Sequence, residues 1–261
     1  MEDTTKSKPL IAFGAILGIS LIVTAIIVSW VVYYVKTYNN AVITVTGVAE
    51  KQVTSDVVKW HATIARQTGS TSADLKQGSA EMQSDLSALL SYFGTNGVTS
   101  SEITVDPLSV TPMYQSQYGV YPGKVGYSSG DTLAGYSLSQ NILIQSGNVS
   151  GVTALAQKAP QYFLNKGIVF SSQPLEYYLS NILLDSIRQQ MLAEALANAK
   201  DRANAITNGV GASVGNLRSS SVGVTQVTPV NSTEISGSGY YDTTSIDKLV
   251  TYLVHTTFTM R

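Results

Sequence analysis

One pentapeptide has the spacing of a hydrolytic nucleophile. Gly126-Tyr127-Ser128-Ser129-Gly130 satisfies G-x-S-x-G, and Asp131 and His255 follow it in the chain. A Ser–Asp–His arrangement using Ser128 can therefore be drawn. That chemistry needs the serine on a strained turn between a strand and a helix, where helix N–H groups face the oxyanion. Here no apolar strand leads in, and the segment that leads out, from Tyr136, alternates as a strand. The chain holds 21 glycines among many serines, enough to produce the pattern freely. No catalytic residue is assigned on this basis, and an envelope-associated serine hydrolase using Ser128 is kept as the alternative reading.

Metal and phosphate chemistry have thinner signals. The two histidines, His61 and His255, each fall on the polar face of an alternating segment. On neighbouring strands they would make half a site, but there is no Cys and no matched carboxylate spacing. Gly209-x-Gly211-x-x-x-Gly215 follows a helical pattern and leads into a strand, the reverse of the order that aims helix N–H groups at a phosphate. It reads as a helix C-cap and turn. Neither a cofactor nor a metal is expected. Asn148-Val149-Ser150 and Asn231-Ser232-Thr233 match the glycosylation sequon, which matters only outside the cell of an organism that glycosylates Asn.

Two segments share an unusual composition. Residues 113–135 and 229–245 are rich in Tyr, Gly and Ser and lack helical period, so each reads as a long loop or hairpin tip. Tyr offers a large amphipathic surface at low entropic cost, and Tyr with Gly and Ser is the mixture that contact loops favour. Tyr114, Tyr118, Tyr121, Tyr127, Tyr240 and Tyr241 are the candidate contact residues. Their partners are expected to be other copies of this chain first, and an envelope polymer or protein second.

The elements that must position these groups begin with an anchor. Pro9 to Val35 carries no charge, and at ~1.5 Å per residue it spans roughly 40 Å, enough to cross a ~30 Å hydrocarbon core with tilt. A signal-peptide apolar region is shorter and ends in a small-residue cleavage site, which is missing here. The far end instead carries Trp30, Tyr33, Tyr34, Lys36 and Tyr38, ring-and-cation chemistry suited to headgroups. Lys6 and Lys8 before the span outnumber Lys36 after it, so residues 1–8 are predicted to be a cytoplasmic tail, 9–35 a transmembrane signal anchor, 36–41 a linker and 42–261 an extracytoplasmic domain. Sixteen Lys and Arg scattered among seventeen Asp and Glu exclude a basic nucleic-acid face.

Along that domain, strands are predicted at 42–50, 57–67, 102–114, 136–145, 168–179, 216–230 and over the closing segment around Val250–Met260. Helices are predicted after Ser70–Ser72 to Phe93, over 150–164 and over 182–208. The inner stripe of the last helix runs Leu184, Ile187, Met191, Ala195, Ala199, Ala203 and Ile206, narrowing so that its C-terminal half can approach a sheet closely. Hairpins mixed with helical crossovers favour an α+β fold, with helices packed on one face of a largely antiparallel sheet.

The succession VTGVAEKQVTSD, GVTSSEI, GYSLSQNILIQ, GIVFSSQPLEYY, ALANAKDRANAITNGVGASVGNL and the final alternating strand resembles the SIMPL-domain (DUF541) family of bacterial and archaeal envelope proteins over residues 42–261. The resemblance implies an α+β fold, an extracytoplasmic position and self-assembly into ring-like oligomers in some members. It supplies no catalytic residues. With a single anchor holding each copy in one plane, and sheet edges that need covering, a membrane-tethered homo-oligomer at the cell envelope is expected.

Overall fold

The computed structural model describes residues 7–38, 41–121, 124–233 and 238–261, with side chains except at 7–12, 37–38, 116–121 and 124–131. In chain order the elements are α1 (Ser7–Tyr38), β1 (Val42–Thr54), β2 (Val57–Thr68), α2 (Ser72–Thr95), a 3₁₀ turn (Ser100–Glu102), β3 (Ile103–Val105), β4 (Ser109–Tyr121), β5 (Lys124–Ser146), α3 (Val149–Asn165), β6 (Val169–Ser172), β7 (Glu176–Tyr178), α4 (Asn181–Gly209), β8 (Val214–Val222), β9 (Gln226–Pro229) and β10 (Asp247–Met260). The fold is α+β with antiparallel sheets.

Within α1, Phe13–Lys36 is a span of 24 residues with mean hydropathy 2.6, long and apolar enough to cross a membrane. Its large side chains are exposed on every side, a surface that suits hydrocarbon and not water. Trp30 and Tyr34 stack near its far end with centroids 5.8 Å apart. The helix continues past the expected Val35 to Tyr38.

Two compact units form, one from Met1–Glu50, Gln189–Thr225 and Thr251–Arg261, the other from Lys51–Arg188 and Gln226–Val250. In the first, the strands run in the order β1-β10-β8. Thr44 Oγ1 meets Thr257 Oγ1, Thr46 Oγ1 meets His255 Nδ1, and Met260 N donates to Ala41 O, contacts that make β1 and β10 antiparallel. β10 and β8 are antiparallel too, from Val254↔Val222 to Met260↔Val214. Ile43, Val45 and Phe258 pack against Ala199 and Ala203 of α4. The close approach predicted for the small-residue half of α4 is present, since a Cβ added to Gly47 would lie 2.0 Å from Ala195 O and 2.7 Å from Ala199 Cβ.

In the second unit β2 and β5 form the centre, paired without a break from Val58↔Ser146 to Thr68↔Tyr136. β3 and β4 share the outer edge of β5, while β6 and β7 share the outer edge of β2. The inward face of β2, Val58, Trp60, Ala62 and Ile64, is buried with Met82, Leu89 and Phe93 of α2 and Val152, Leu155, Ala159 and Phe163 of α3. Helices therefore cover one face of this sheet. The indole N–H of Trp60 donates to Ser172 Oγ at 2.9 Å, which satisfies the one polar atom of a fully buried side chain.

Helix starts are set by side chains. Thr71 and Asp74 form a reciprocal capping box on α2, with Asp74 N donating to Thr71 Oγ1 and Thr71 N to Asp74 Oδ2. The Asp74 carboxylate accepts from the Thr71 hydroxyl at 2.7 Å as well as from Thr71 N, and these two bonds hold it below the usual carboxylate range. We expect Thr71→Ala to lower stability by about 1 kcal/mol in urea unfolding, with no change in the folded far-UV spectrum. Asn148 caps α3 by accepting from Gly151 N at 3.0 Å, so one sequon asparagine is already used as a helix cap. α4 is capped by Ser180, whose Oγ accepts from Leu183 N at 3.2 Å while Ser180 itself is held by Asp56.

Several expected strands are split. The segment expected at 102–114 becomes β3 and β4 around Pro107, and that at 168–179 becomes β6 and β7 around Pro174, because proline cannot donate to a ladder. The strand expected at 216–230 becomes β8 and β9, separated by residues 223–225, although Gly223 N still donates to Leu253 O in the β8–β10 register. By contrast α3 runs through Pro160 to Asn165. Ile206, placed on the inner stripe by periodicity, is 54% exposed; the buried position in that turn belongs to Thr207, whose hydroxyl donates to Ala203 O.

Candidate functional site

Of the two readings of residues 113–135, the hairpin end holds and the long loop does not. β4 and β5 pair through the segment, with Tyr114↔Leu133, Tyr118↔Ser128, Gly119↔Tyr127 and Tyr121↔Lys124 in register, and register shifts after Met113, Ser116 and Gly119 explain why no clean alternation shows in the sequence. Ser128 therefore sits on an antiparallel strand, and the next helix begins only at Val149. The strand–turn–helix geometry of a nucleophile elbow is not formed there.

Of the six candidate tyrosines, Tyr114 is 61% exposed on β4. The side chains of Tyr118, Tyr121 and Tyr127 lie outside the described residues. Tyr240 is half-buried. Tyr241 is still 39% exposed, but its hydroxyl accepts from Leu179 N at 2.8 Å and its ring stacks on Tyr178 with centroids 6.1 Å apart. It ties the 238–246 segment to the strand region before α4. Tyr178 in turn donates to Glu176 at 2.7 Å, and that bond to a carboxylate, aided by burial, pushes its hydroxyl up to about 12. His61 lies on β2 and His255 on β10, in different sheets. Among the described residues no three His, Cys, Asp or Glu side chains come together as a metal cage.

The feature best shaped for a contact was not singled out by sequence. A groove of about 490 Å³ runs along α2 and α3, lined by Asp85, Ser91, Tyr92, Thr95, Tyr162 and Lys166 among others. Tyr92 and Tyr162 lie 4.0 Å apart and nearly parallel, with Phe163 meeting both edge-on at 5.2 Å. This is the favoured aromatic geometry. Lys166 Nζ sits 6.0 Å from the Tyr162 ring centre, within cation–π range. Burial, with the neighbouring Tyr162, raises the Tyr92 hydroxyl above its ordinary value and keeps it a hydrogen-bond donor. Asp85 is already engaged, since Arg66 of β2 donates to it at 2.7 Å and to Glu81 at 2.7 Å. The bond to Asp85 is the main cause of a raised Arg66. Stacked rings, hydroxyls and one ammonium make a groove for contact chemistry. A signal for it existed in the sequence, because Asp85, Tyr92 and Thr95 follow helical spacing along one flank of the Met82–Leu89 stripe of α2.

A second constellation is wholly internal. Lys248 has no exposed side-chain surface and Asp242 almost none. Lys248 Nζ donates to Asp242 Oδ2 at 3.0 Å, Asp242 O at 2.7 Å and Ser245 O at 2.7 Å, which uses all three of its protons. Asp242 also accepts from Thr244 N, Thr244 Oγ1, Ser245 N and Ser245 Oγ. Burial alone would raise its carboxyl, but these bonds from Ser245, Thr244 and Lys248 outweigh it and hold the group well below the usual carboxylate range. With every donor and acceptor occupied, the pair organises the 240–248 turn and has no valence left for a substrate.

Comparison with curated proteins gives no match. The model of the SIMPL family, described as a protein of unknown function (DUF541), matches residues 43–246, from the second residue of β1 to the last before β10, and the chain belongs to that family.

Proposed function

We propose that this chain is a membrane-anchored, extracytoplasmic structural or interaction protein that self-assembles at the cell envelope and catalyses no reaction. The family is not a known enzyme family. The observation that carries the reading is the state of β8. Among the described residues its one strand partner is β10, seven of its nine residues are exposed, and it holds no Pro and a single charge, Arg218. Natural edge strands are usually blunted by prolines, charges or a covering element. The opposite edge strand, β1, has such a cover: Val48 N donates to Asn198 Oδ1, and Thr46 O accepts from Arg202 Nη1, both from α4.

A strand from a second copy added to β8 would extend the sheet by main-chain hydrogen bonds. Tethering by α1 in one plane raises the local concentration of copies, and a closed rotation between them gives a ring. Lys6 and Lys8 ahead of the apolar span Phe13–Lys36 favour the domain lying outside the cytoplasm. The groove at Tyr92 and Tyr162 suits a saccharide-containing envelope polymer as a further partner, through ring faces and hydroxyls.

Light scattering of the detergent-solubilised full-length protein tests the assembly. The wild type should run as a multimer, and Ser219→Lys/Ser221→Lys should lower its mass while leaving unfolding within about 0.5 kcal/mol, as for surface changes generally. A wild type that is monomeric at micromolar concentration sinks the proposal. Protease added to spheroplasts should remove the domain; protection until the membrane is broken would reverse the orientation.

A further inference from the structure

We propose that the end of the first unit carrying Ile206, Val210, Met260 and Arg261 is a membrane-contact face that rests in the lipid headgroup layer. This rests on α1 being a membrane anchor. Only residues 39–41 separate the end of α1 at Tyr38 from Val42 of β1, and a fully extended chain covers at most roughly 14 Å over those steps. The start of β1 is therefore held close to the bilayer whatever the direction of the linker.

Register then places the other segments at the same end. Met260 N donates to Ala41 O, while Ser213 and Arg261 exchange backbone hydrogen bonds at 2.8 and 2.9 Å, so the end of β10 and the entry to β8 flank the start of β1. α4 runs toward this end as well, because Asn198 binds Val48 and, one turn later, Arg202 binds Thr46. Its last turn and the bend after it, Ile206 to Val210, therefore reach the level of the strand starts.

That turn and bend are apolar where solvent exposure would call for polar groups. Ile206 is 54% and Val210 74% exposed. The segments that meet at this end, 41–44, 206–216 and 258–261, contain no Asp or Glu and end on Arg261, with Lys36 at the adjoining end of α1. Apolar side chains flanked by cations and free of acids match the interfacial layer, in which apolar groups bury about 5–10 Å and cations meet lipid phosphates. The occupant is thus the membrane itself, continuous with the surface around the anchor. Its consequence is a fixed attitude of the first unit, which would present the β8 edge sideways to neighbouring copies.

The chain has no Cys, so single-cysteine variants of the full-length protein can each carry one polarity-sensitive fluorophore. Ser29→Cys reports on the anchor, Val210→Cys on the proposed face, and Val222→Cys on the far end of β8. The variants are reconstituted into phosphatidylcholine vesicles with and without phosphatidylglycerol, and quenched by lipids bearing a nitroxide near the headgroup. The label at 210 should emit to the blue of that at 222 and be quenched roughly twofold or more beyond it, as expected for interfacial burial. If 29 is shielded from water but 210 behaves like 222, the contact face is wrong and the anchor stands. If 29 is also in water, the anchor reading fails and this inference with it.

Discussion

Replacing Lys248 by Met should destabilise the second unit by about 3–5 kcal/mol, the usual cost of leaving one member of a buried ion pair without its partner. Methionine keeps most of the volume but removes three hydrogen bonds, so Asp242 and two carbonyl oxygens lose their donor. Against a total stability of ~5–15 kcal/mol for a domain, that is enough to lower expression and to shift the urea midpoint far from wild type. Lys248→Met/Asp242→Asn should recover part of the loss, because the asparagine still accepts from Thr244 N without a buried charge. A Lys248→Met variant within about 1 kcal/mol of wild type, the scale of an ordinary hydrogen bond, would show that water replaces the ammonium.

The same pair gives a pH dependence of known sign. Asp242 has a folded value depressed below that of an unfolded carboxylate, ~3.9. Its contribution is therefore complete above about pH 4 and is lost as pH falls toward and through the folded value. Acid unfolding of Asp242→Asn should accordingly show a shallower loss of stability below about pH 4 than the wild type.

Gly47→Val is the second change expected to be severe, at about 3 kcal/mol or more, the upper range for overpacking. The nearest obstacle to a Cβ at this position is the backbone oxygen of Ala195, at 2.0 Å, followed by Ala199 Cβ at 2.7 Å. A backbone atom cannot change rotamer, so either β1 or α4 must move. Ala199→Gly should therefore fail to rescue Gly47→Val, since it removes only the second obstacle. Gly94 provides the contrast: it lies in α2 with nothing within 4 Å of an added Cβ, and Gly94→Ala should stabilise by about 0.5 kcal/mol through helix propensity. Equal effects of the two substitutions in chemical denaturation would show that strand and helix are not in close contact at Gly47.

Much of the architecture follows from periodicities that are local. The apolar run that became α1, the alternation of β2 around Trp60, and the Leu184-to-Ala203 stripe of α4 each satisfy a burial requirement that a short window displays. The family resemblance was legible for the same reason, as an ordered succession of such windows. Local signals failed where a distant partner changed the outcome. Nothing beside Ser180 announces that Asp56 will orient it as the α4 cap, and nothing in 113–135 shows the ladder that the bulged pairing of β4 with β5 supplies.

The buried charge is the sharpest case of that division. Alternation along β10 places Lys248 on the same face as Val250 and Tyr252, a position that sequence alone marks as an anomaly, because an isolated ammonium does not enter a core. Only the turn at 242–245, folded back so that a carboxylate and two carbonyl oxygens surround Nζ, makes the position tolerable. The groove at Tyr92 and Tyr162 likewise needed two helices, far apart in sequence, laid side by side on one sheet. The sequence by itself determined the helices, the strands that alternate without interruption and the apolar run long enough to cross a membrane, because those depend on neighbours a few residues away. Which polar groups are satisfied, which edges are open and which surfaces adjoin was decided by the tertiary structure, because each of these is a relation between residues that the chain brings together only on folding.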